Sequence, residues 1–191
     1  DIGQLPAVLN PDRKAKAAVN FRFFCEAYFP QTFRLEWSDD HLKIMAKIEQ
    51  AVLRGGLFAM AMPRGSGKTT LAEIACLWSI LIGARDFVCL VGSDKDHAIS
   101  MLDSIRTECE INELLLEDYP EALFPIQCLE RIANRAKGQT YKGVPTRISW
   151  VGDEIVLPTI EGSPASGAII RVAGIEGRIR GMKYKRADGK S

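Results

Sequence analysis

The residues Ala61-Met62-Pro63-Arg64-Gly65-Ser66-Gly67-Lys68-Thr69-Thr70 join an apolar, strand-like run, Leu57 to Met60, to a helix-like one through a glycine-rich turn. Gly65 and Gly67 let the backbone bend with no side chain in the way, so that successive N–H groups from Gly65 to Thr70 can point at one anion. Those donors sit where a helix begins, and there orphan amides and the helix dipole favour negative charge. Lys68 adds a mobile cation suited to β and γ phosphates, and Thr69 a hydroxyl suited to Mg²⁺. The stretch therefore reads as a phosphate-binding loop. Against the pattern G-x-x-x-x-G-K-[ST], Gly67, Lys68 and Thr69 match, while Met62 stands where the first glycine belongs. A glycine turn in front of an ordinary core helix is the competing reading.

The surroundings supply the setting the motif requires. Leu71, Ile74, Ala75, Trp78, Ile80, Leu81 and Ile82 predict a helix that is apolar on most sides. Asp86 to Gly92 is a continuous apolar run, expected to be a central parallel strand buried on both faces. Ser93 and Asp94 then open another helix, with Ala98, Ile99, Met101, Leu102 and Ile105 facing inward. Strand, loop, helix, strand and helix form the right-handed crossover of a doubly wound sheet. The expected fold class is α/β, a P-loop NTPase with a mostly parallel central sheet flanked by helices and a helical amino-terminal lead-in. The chain reads as a single domain over residues 1–191, with the lead-in over 1–55 and the nucleotide-binding core over 56–191.

Composition narrows the class. A chain of 191 residues with 47% hydrophobic content is long enough for one sizeable core and is neither disordered nor fibrous. Lys and Arg number 25 against 24 Asp and Glu, so the whole-chain charge carries no information about nucleic acid, and only local clusters do. Five cysteines, with no C-x-x-C spacing, and two distant histidines, His41 and His97, give no zinc-site pattern. Cys76 and Cys89 fall inside expected core elements, as small buried hydrophobes in a reducing compartment. No run reaches the length of a membrane span and the start has no signal pattern, so the expectation is a soluble, cytoplasmic protein.

Upstream of the loop, Asn10 and Pro11 predict a helix start, and Pro30 a stop, giving one helix to about Phe29 with Arg13, Lys14, Lys16 and Arg22 as a solvated basic face. A second helix is expected from Ser38, with Asp39 and Asp40 in its first turn and Gly55-Gly56 at its end. Between them, Phe33 and Trp37 come within reach of the loop if the second helix folds back. That segment either covers a nucleotide base or straps the core. Downstream, helical segments broken at Pro120 and Pro125 lead to a glycine-punctuated loop over 137–145. Strands are then expected over 147–157 and 166–173, joined by a turn at Glu161-Gly162-Ser163-Pro164.

Hydrolysis of a nucleoside triphosphate also needs carboxylates at the end of a strand. Asp153-Glu154 is a candidate, but its apolar run continues through Ile155, Val156 and Leu157, which makes a mid-strand or hairpin pair the better reading. A small-molecule phosphotransferase would need an arginine-rich lid, and between Glu108 and Pro145 only Arg131 and Arg135 are available. A nucleotide-dependent assembly module that binds without turnover is a further alternative.

The loop Pro63 to Thr69 resembles the Walker A motif of the large terminase subunits of tailed bacteriophages, which often replace the first glycine and carry an arginine in the loop. Phe33 to His41 is similar to the segment that precedes that motif and borders the adenine, and Gly167 to Gly181 to the glycine-rich stretch leading into the acidic strand. The resemblance implies an ATPase that uses ATP and Mg²⁺ to package double-stranded DNA into a procapsid, in the cytoplasm of an infected bacterial host. It implies Lys68 and Arg64 as catalytic, Arg64, Gly65, Ser66, Gly67, Lys68, Thr69 and Thr70 as nucleotide-binding, and Thr69 as the Mg²⁺ ligand. It also implies assembly into an oligomer with a small terminase subunit and a portal protein as partners. In that family the acidic strand and a ribonuclease H-type nuclease come later, so the chain is expected to be an amino-terminal ATPase piece lacking both.

Arg178, Arg180, Lys183, Lys185 and Arg186 are clustered with only Glu176 and Asp188 to offset them, and are expected either to contact duplex phosphates weakly or to form a solvated tail. A salt series of duplex binding should give a log–log slope of roughly 0.9 per phosphate neutralised. Reversing the charges of Arg178, Arg180 and Lys183 together should lower both affinity and slope. Unchanged values for both would remove DNA contact from this stretch.

Overall fold

The computed structural model describes residues 1–175, so the basic cluster at 178–186 and the end of the glycine-rich stretch lie outside the described residues. The fold is α/β. Among the described residues, seven α-helices accompany a four-stranded mixed sheet and a separate two-stranded ribbon.

The lead-in is two helices where one was expected: α1 over Pro11–Val19 and α2 over Phe21–Tyr28. Asn20 causes the break. Its backbone is extended, and its side chain accepts the Phe23 amide at 2.8 Å, so it ends one helix and caps the next. Glu49 takes a second orphan donor, the Phe21 amide, at 2.9 Å. Asn10 caps α1 through the Arg13 amide, as its sequence foretells. Helix α3, Asp39–Arg54, starts at Ser38 and ends at Gly55 as expected.

The expected strand ahead of the loop is absent. Residues 55–63 form neither helix nor strand, and Leu57 is fully exposed with Phe58 partly so. A strand exists only by sharing a hydrogen-bond ladder, and among the described residues none runs beside this segment. Helix α4 follows over Lys68–Leu81 and supplies much of the core, with Leu71, Leu77, Trp78, Ile80 and Leu81 buried.

Strand β1, Phe87–Gly92, leads into α5, Lys95–Ile111, whose Asp94 cap accepts the His97 amide at 2.8 Å. After α6, Glu113–Asp118, helix α7 runs over Pro120–Gln127. Pro120 starts that helix, but Pro125 sits inside it instead of breaking it. The 137–145 loop contains the small ribbon of β2, Thr140–Tyr141, and β3, Val144–Pro145. Of the two readings of Asp153-Glu154, mid-strand or hairpin, the hairpin holds: the stretch expected as a strand over 147–157 is β4, Ser149–Val151, and β5, Glu154–Val156, with the turn at Gly152-Asp153. Arg106 from α5 fixes that turn by donating to the carbonyls of Val151, Gly152 and Glu154. Strand β6, Ile169–Gly174, completes the sheet.

The order is β1-β6-β5-β4, with only β1 and β6 parallel. The mostly parallel sheet of the sequence reading is therefore corrected to a mixed one. The hairpin is the physical reason, since a two-residue turn can return the chain only antiparallel. β1 is an edge strand among the described residues, with Leu90 and Gly92 buried and Val91 exposed, and not the central strand expected. At their carboxyl ends β1 and β6 press on the start of α5. A Cβ on Gly174 would stand 2.7 Å from the Lys95 amide nitrogen and one on Gly92 2.8 Å from that of Ala98, closer than carbon approaches nitrogen.

Among the ties between the lead-in and the rest, one buried carboxylate gathers the most hydrogen bonds. Asp118, at 0% exposure, accepts from Arg13 Nε at 2.6 Å, Arg13 Nη2 at 3.1 Å, Tyr28 Oη at 2.6 Å and the Asn10 amide at 3.0 Å. Burial pushes its pKa up, but the hydrogen bonds from Arg13, Tyr28 and Asn10 outweigh it and leave the carboxyl below its ordinary value. A carboxyl depressed in the folded state adds stability above the unfolded pKa and loses it as pH falls through the folded one. Asp118→Ala should cost about 3–5 kcal/mol in urea unfolding at neutral pH, because Arg13 and Tyr28 lose their common partner. The penalty should shrink below about pH 4. A loss under 1 kcal/mol would show that packing and the remaining contacts, Arg13–Glu117, Lys14–Glu121 and Trp78–Ala17 among them, hold the lead-in without Asp118.

Candidate functional site: the 63–70 loop and its aromatic wall

Gly65 and Gly67 adopt φ of 77° and 76°, the left-handed region in which a side chain is strained. Gly67 also stands at the N-cap of α4, so the chain passes from the turn straight into the helix, and the amides at the start of α4 have no intrahelical acceptor. Lys68 is the first residue of α4, with Thr69 and Thr70 following in the same turn. The strand–loop–helix expectation is thus met in its loop and helix and not in its strand.

The side chains of the loop hold one another. Lys68 Nζ donates to the carbonyls of Met62 and, at 3.0 Å, of Pro63. Ser66 Oγ donates to the same Pro63 carbonyl at 2.8 Å. Arg64 is exposed and, among the described residues, has no hydrogen-bond or ion-pair partner. Thr69 is exposed on the first turn and Thr70 half-buried.

Beside the loop lies a cavity of about 270 Å³, lined on one side by Gly65, Ser66, Gly67 and Thr70 and on the other by Phe33, Trp37 and His41. The Phe33 and Trp37 rings are 4.8 Å apart and both pack on the core. Trp37 Nε1 donates to Glu26 Oε1 at 2.8 Å, which fixes the indole to α2. The segment is at once a strap and a cavity wall, so the two sequence readings are not exclusive. Flat aromatic faces beside a cluster of amides suit a ligand with a planar ring and an anionic tail.

His41 ends the segment that resembles the border of the adenine, but the sequence gives it no role of its own there. In sequence it is an ordinary N3 position behind a Ser38 cap. In the fold its Nε2 lies 3.0 Å from the Ser66 carbonyl oxygen. Below the loop, Thr70, Glu73 and Glu108 line a second cavity of about 50 Å³. Burial, followed by the charge of Glu108, pushes the Glu73 carboxyl up to about 7.

The carboxylates considered for catalysis are used elsewhere. Asp153 lies in the hairpin turn, 3.4 Å from Lys95, and Glu154 pairs with Arg171 at 2.9 Å. Among the described residues no group of three or more His, Cys, Asp or Glu side chains could hold a metal ion, and no helix is long and apolar enough to cross a membrane. No family model, no curated protein and no solved structure matches the chain.

A carboxyl raised in the folded state costs nothing below its unfolded pKa and most above its folded one, here between an ordinary 4.5 and about 7. Glu73→Gln should therefore stabilise the protein at pH 8 by about 1 kcal/mol, after allowance for solvent screening of a half-buried group. The gain should fade as pH approaches 4. Urea unfolding at both pH values checks this, and a gain that grows in acid would contradict it.

Proposed function

We propose that the chain binds Mg-ATP at the 63–70 loop and is the ATPase part of a viral terminase-type motor that drives double-stranded DNA into a procapsid. The observation carrying the nucleotide half is the pair of left-handed glycines delivering the chain into α4 with Lys68 at its first position. The residues fit the group: amides from Gly65 to Thr70 for the phosphates, Lys68 for their charge, the exposed Thr69 hydroxyl for Mg²⁺, and Phe33 and Trp37 for a base. ATP brings the phosphoanhydride whose cleavage drives such motors. On this reading the chain's own contribution is to orient the triphosphate and neutralise it, with Arg64 the loop residue assigned to the γ phosphate. The DNA half, with its small-subunit and portal partners, rests on the resemblance of Pro63–Thr69, Phe33–His41 and Gly167–Gly181 to terminases.

A second reading is favoured by the engagement of Asp153 with Lys95 and of Glu154 with Arg171. On that reading the chain is an assembly module that binds ATP and does not turn it over efficiently. The phosphotransferase alternative loses support, because Arg131 and Arg135 face Glu110 and Glu130 and do not form a free lid.

Calorimetric titration with Mg-ATP should show Lys68→Ala binding about 10- to 100-fold more weakly, the worth of a charge-assisted hydrogen bond. Equal affinity for both proteins would refute the site. Steady-state hydrolysis by the chain should be slow and unaffected by Asp153→Ala. Brisk hydrolysis abolished by that substitution would make Asp153 the catalytic carboxylate.

A further inference from the structure

We infer that His41 is a positioning residue that ties the aromatic wall to the phosphate-binding loop, so that the loop's shape depends on the wall. The inference rests on the nucleotide-site reading above. Three contacts carry it. His41 Nε2 faces the Ser66 carbonyl oxygen at 3.0 Å, its Nδ1 faces Ser38 Oγ at 2.7 Å, and its ring centroid lies 5.8 Å from that of Trp37.

A carbonyl oxygen only accepts, so Nε2 carries a proton. In the neutral ring Nδ1 is then the acceptor, and the Ser38 hydroxyl donates to it. One side chain thus links the cap of α3, the indole that forms the wall, and the residue lying between the two glycines of the loop. Ser66 is the point of leverage. With its carbonyl held by His41 and its hydroxyl on the Pro63 carbonyl, the peptide between Gly65 and Gly67 is fixed at both ends. Glycine φ/ψ is the freest in the chain, and loops that need it are ordered by such outside contacts.

The role makes a prediction that a simple base contact does not. If His41 only touched a base, its loss would weaken ATP and leave inorganic tripolyphosphate, which has no base, unaffected. As a loop-positioning residue its loss must weaken both. Gln can place an amide N–H near the position of imidazole Nε2, whereas Phe keeps the ring and removes the donor. With Mg²⁺ present, His41→Phe should bind both ATP and tripolyphosphate about five- to tenfold more weakly, the equilibrium worth of one hydrogen bond. His41→Gln should recover tripolyphosphate binding to within about threefold of the wild type.

Nitrogen-15 NMR of the wild-type imidazole at pH 8 gives a reading independent of variants and ligands, and should show a protonated Nε2 and a bare Nδ1. The inference is overturned if His41→Phe binds tripolyphosphate like the wild type, if His41→Gln is as weak as His41→Phe, or if NMR shows the opposite tautomer. The parent reading fails differently, with wild type and Lys68→Ala equally unable to bind either ligand while the tautomer remains as described.

Discussion

A single carboxylate, buried without exposure and surrounded by four donated hydrogen bonds, is the constraint on which the arrangement depends. Asp118 ends α6, yet three of its four bonds come from the lead-in side chains of Arg13 and Tyr28, and the fourth from the Asn10 amide. Removing such a charge from water is costly unless every lone pair is satisfied, and here the satisfaction comes from residues about 90 to 108 positions away in sequence. The lead-in is therefore committed to one place on the core. Helices α1 and α2 then lie on α4, where Trp78 Nε1 donates to the Ala17 carbonyl at 2.9 Å and the Phe21 and Trp78 rings stand 5.1 Å apart.

That placement reaches the candidate site through covalent continuity. The chain from Pro30 to Ser38 leads directly from α2 to α3, and Glu26 on α2 holds the Trp37 indole within it. The aromatic wall is positioned by α2 from one side and α3 from the other, while the loop is positioned by α4. All three helices share one core, in which Phe24, Met45, Ile74 and Leu77 are buried together. The cavity is thus bordered by elements that pack on one core, which suits recognition by preformed shape.

Much of this was legible in the sequence where a rule is local. Caps at Asn10, Ser38 and Asp94, the stop at Gly55, and the left-handed glycines at 65 and 67 each depend on a few neighbouring residues. What was misread depends on partners. The apolar run Leu57–Met60 has strand composition, but composition does not supply a neighbouring ladder. Asn20 offers a cap as Asn10 does, yet it sits within a continuous helical pattern, and the additional donor-holder, Glu49, lies on another helix. Gly152-Asp153 is a weak turn signal in an apolar stretch, enough to leave a hairpin beside the mid-strand reading but not to choose it, and Arg106 gathering three carbonyls holds the turn. His41 shows the same limit. Its position after a serine cap announces a helix start and carries no sign of the carbonyl 25 residues further on.

The contact between Lys68 and the carbonyls of Met62 and Pro63 changes what its positive charge is worth. The ammonium is already solvated by the loop's own backbone, so an incoming phosphate gains it by exchange and not as a new bond. The favourable enthalpy of that contact is the difference between a phosphate oxygen and two peptide oxygens, which is smaller than the charge alone implies. Conversely, the lysine has work to do when no ligand is near. It donates to two neighbouring carbonyls at once and so compensates both of their dipoles in the turn. Removing this residue therefore takes away two backbone contacts as well as a charge, and a loss of affinity on its removal is the sum of two physically distinct effects.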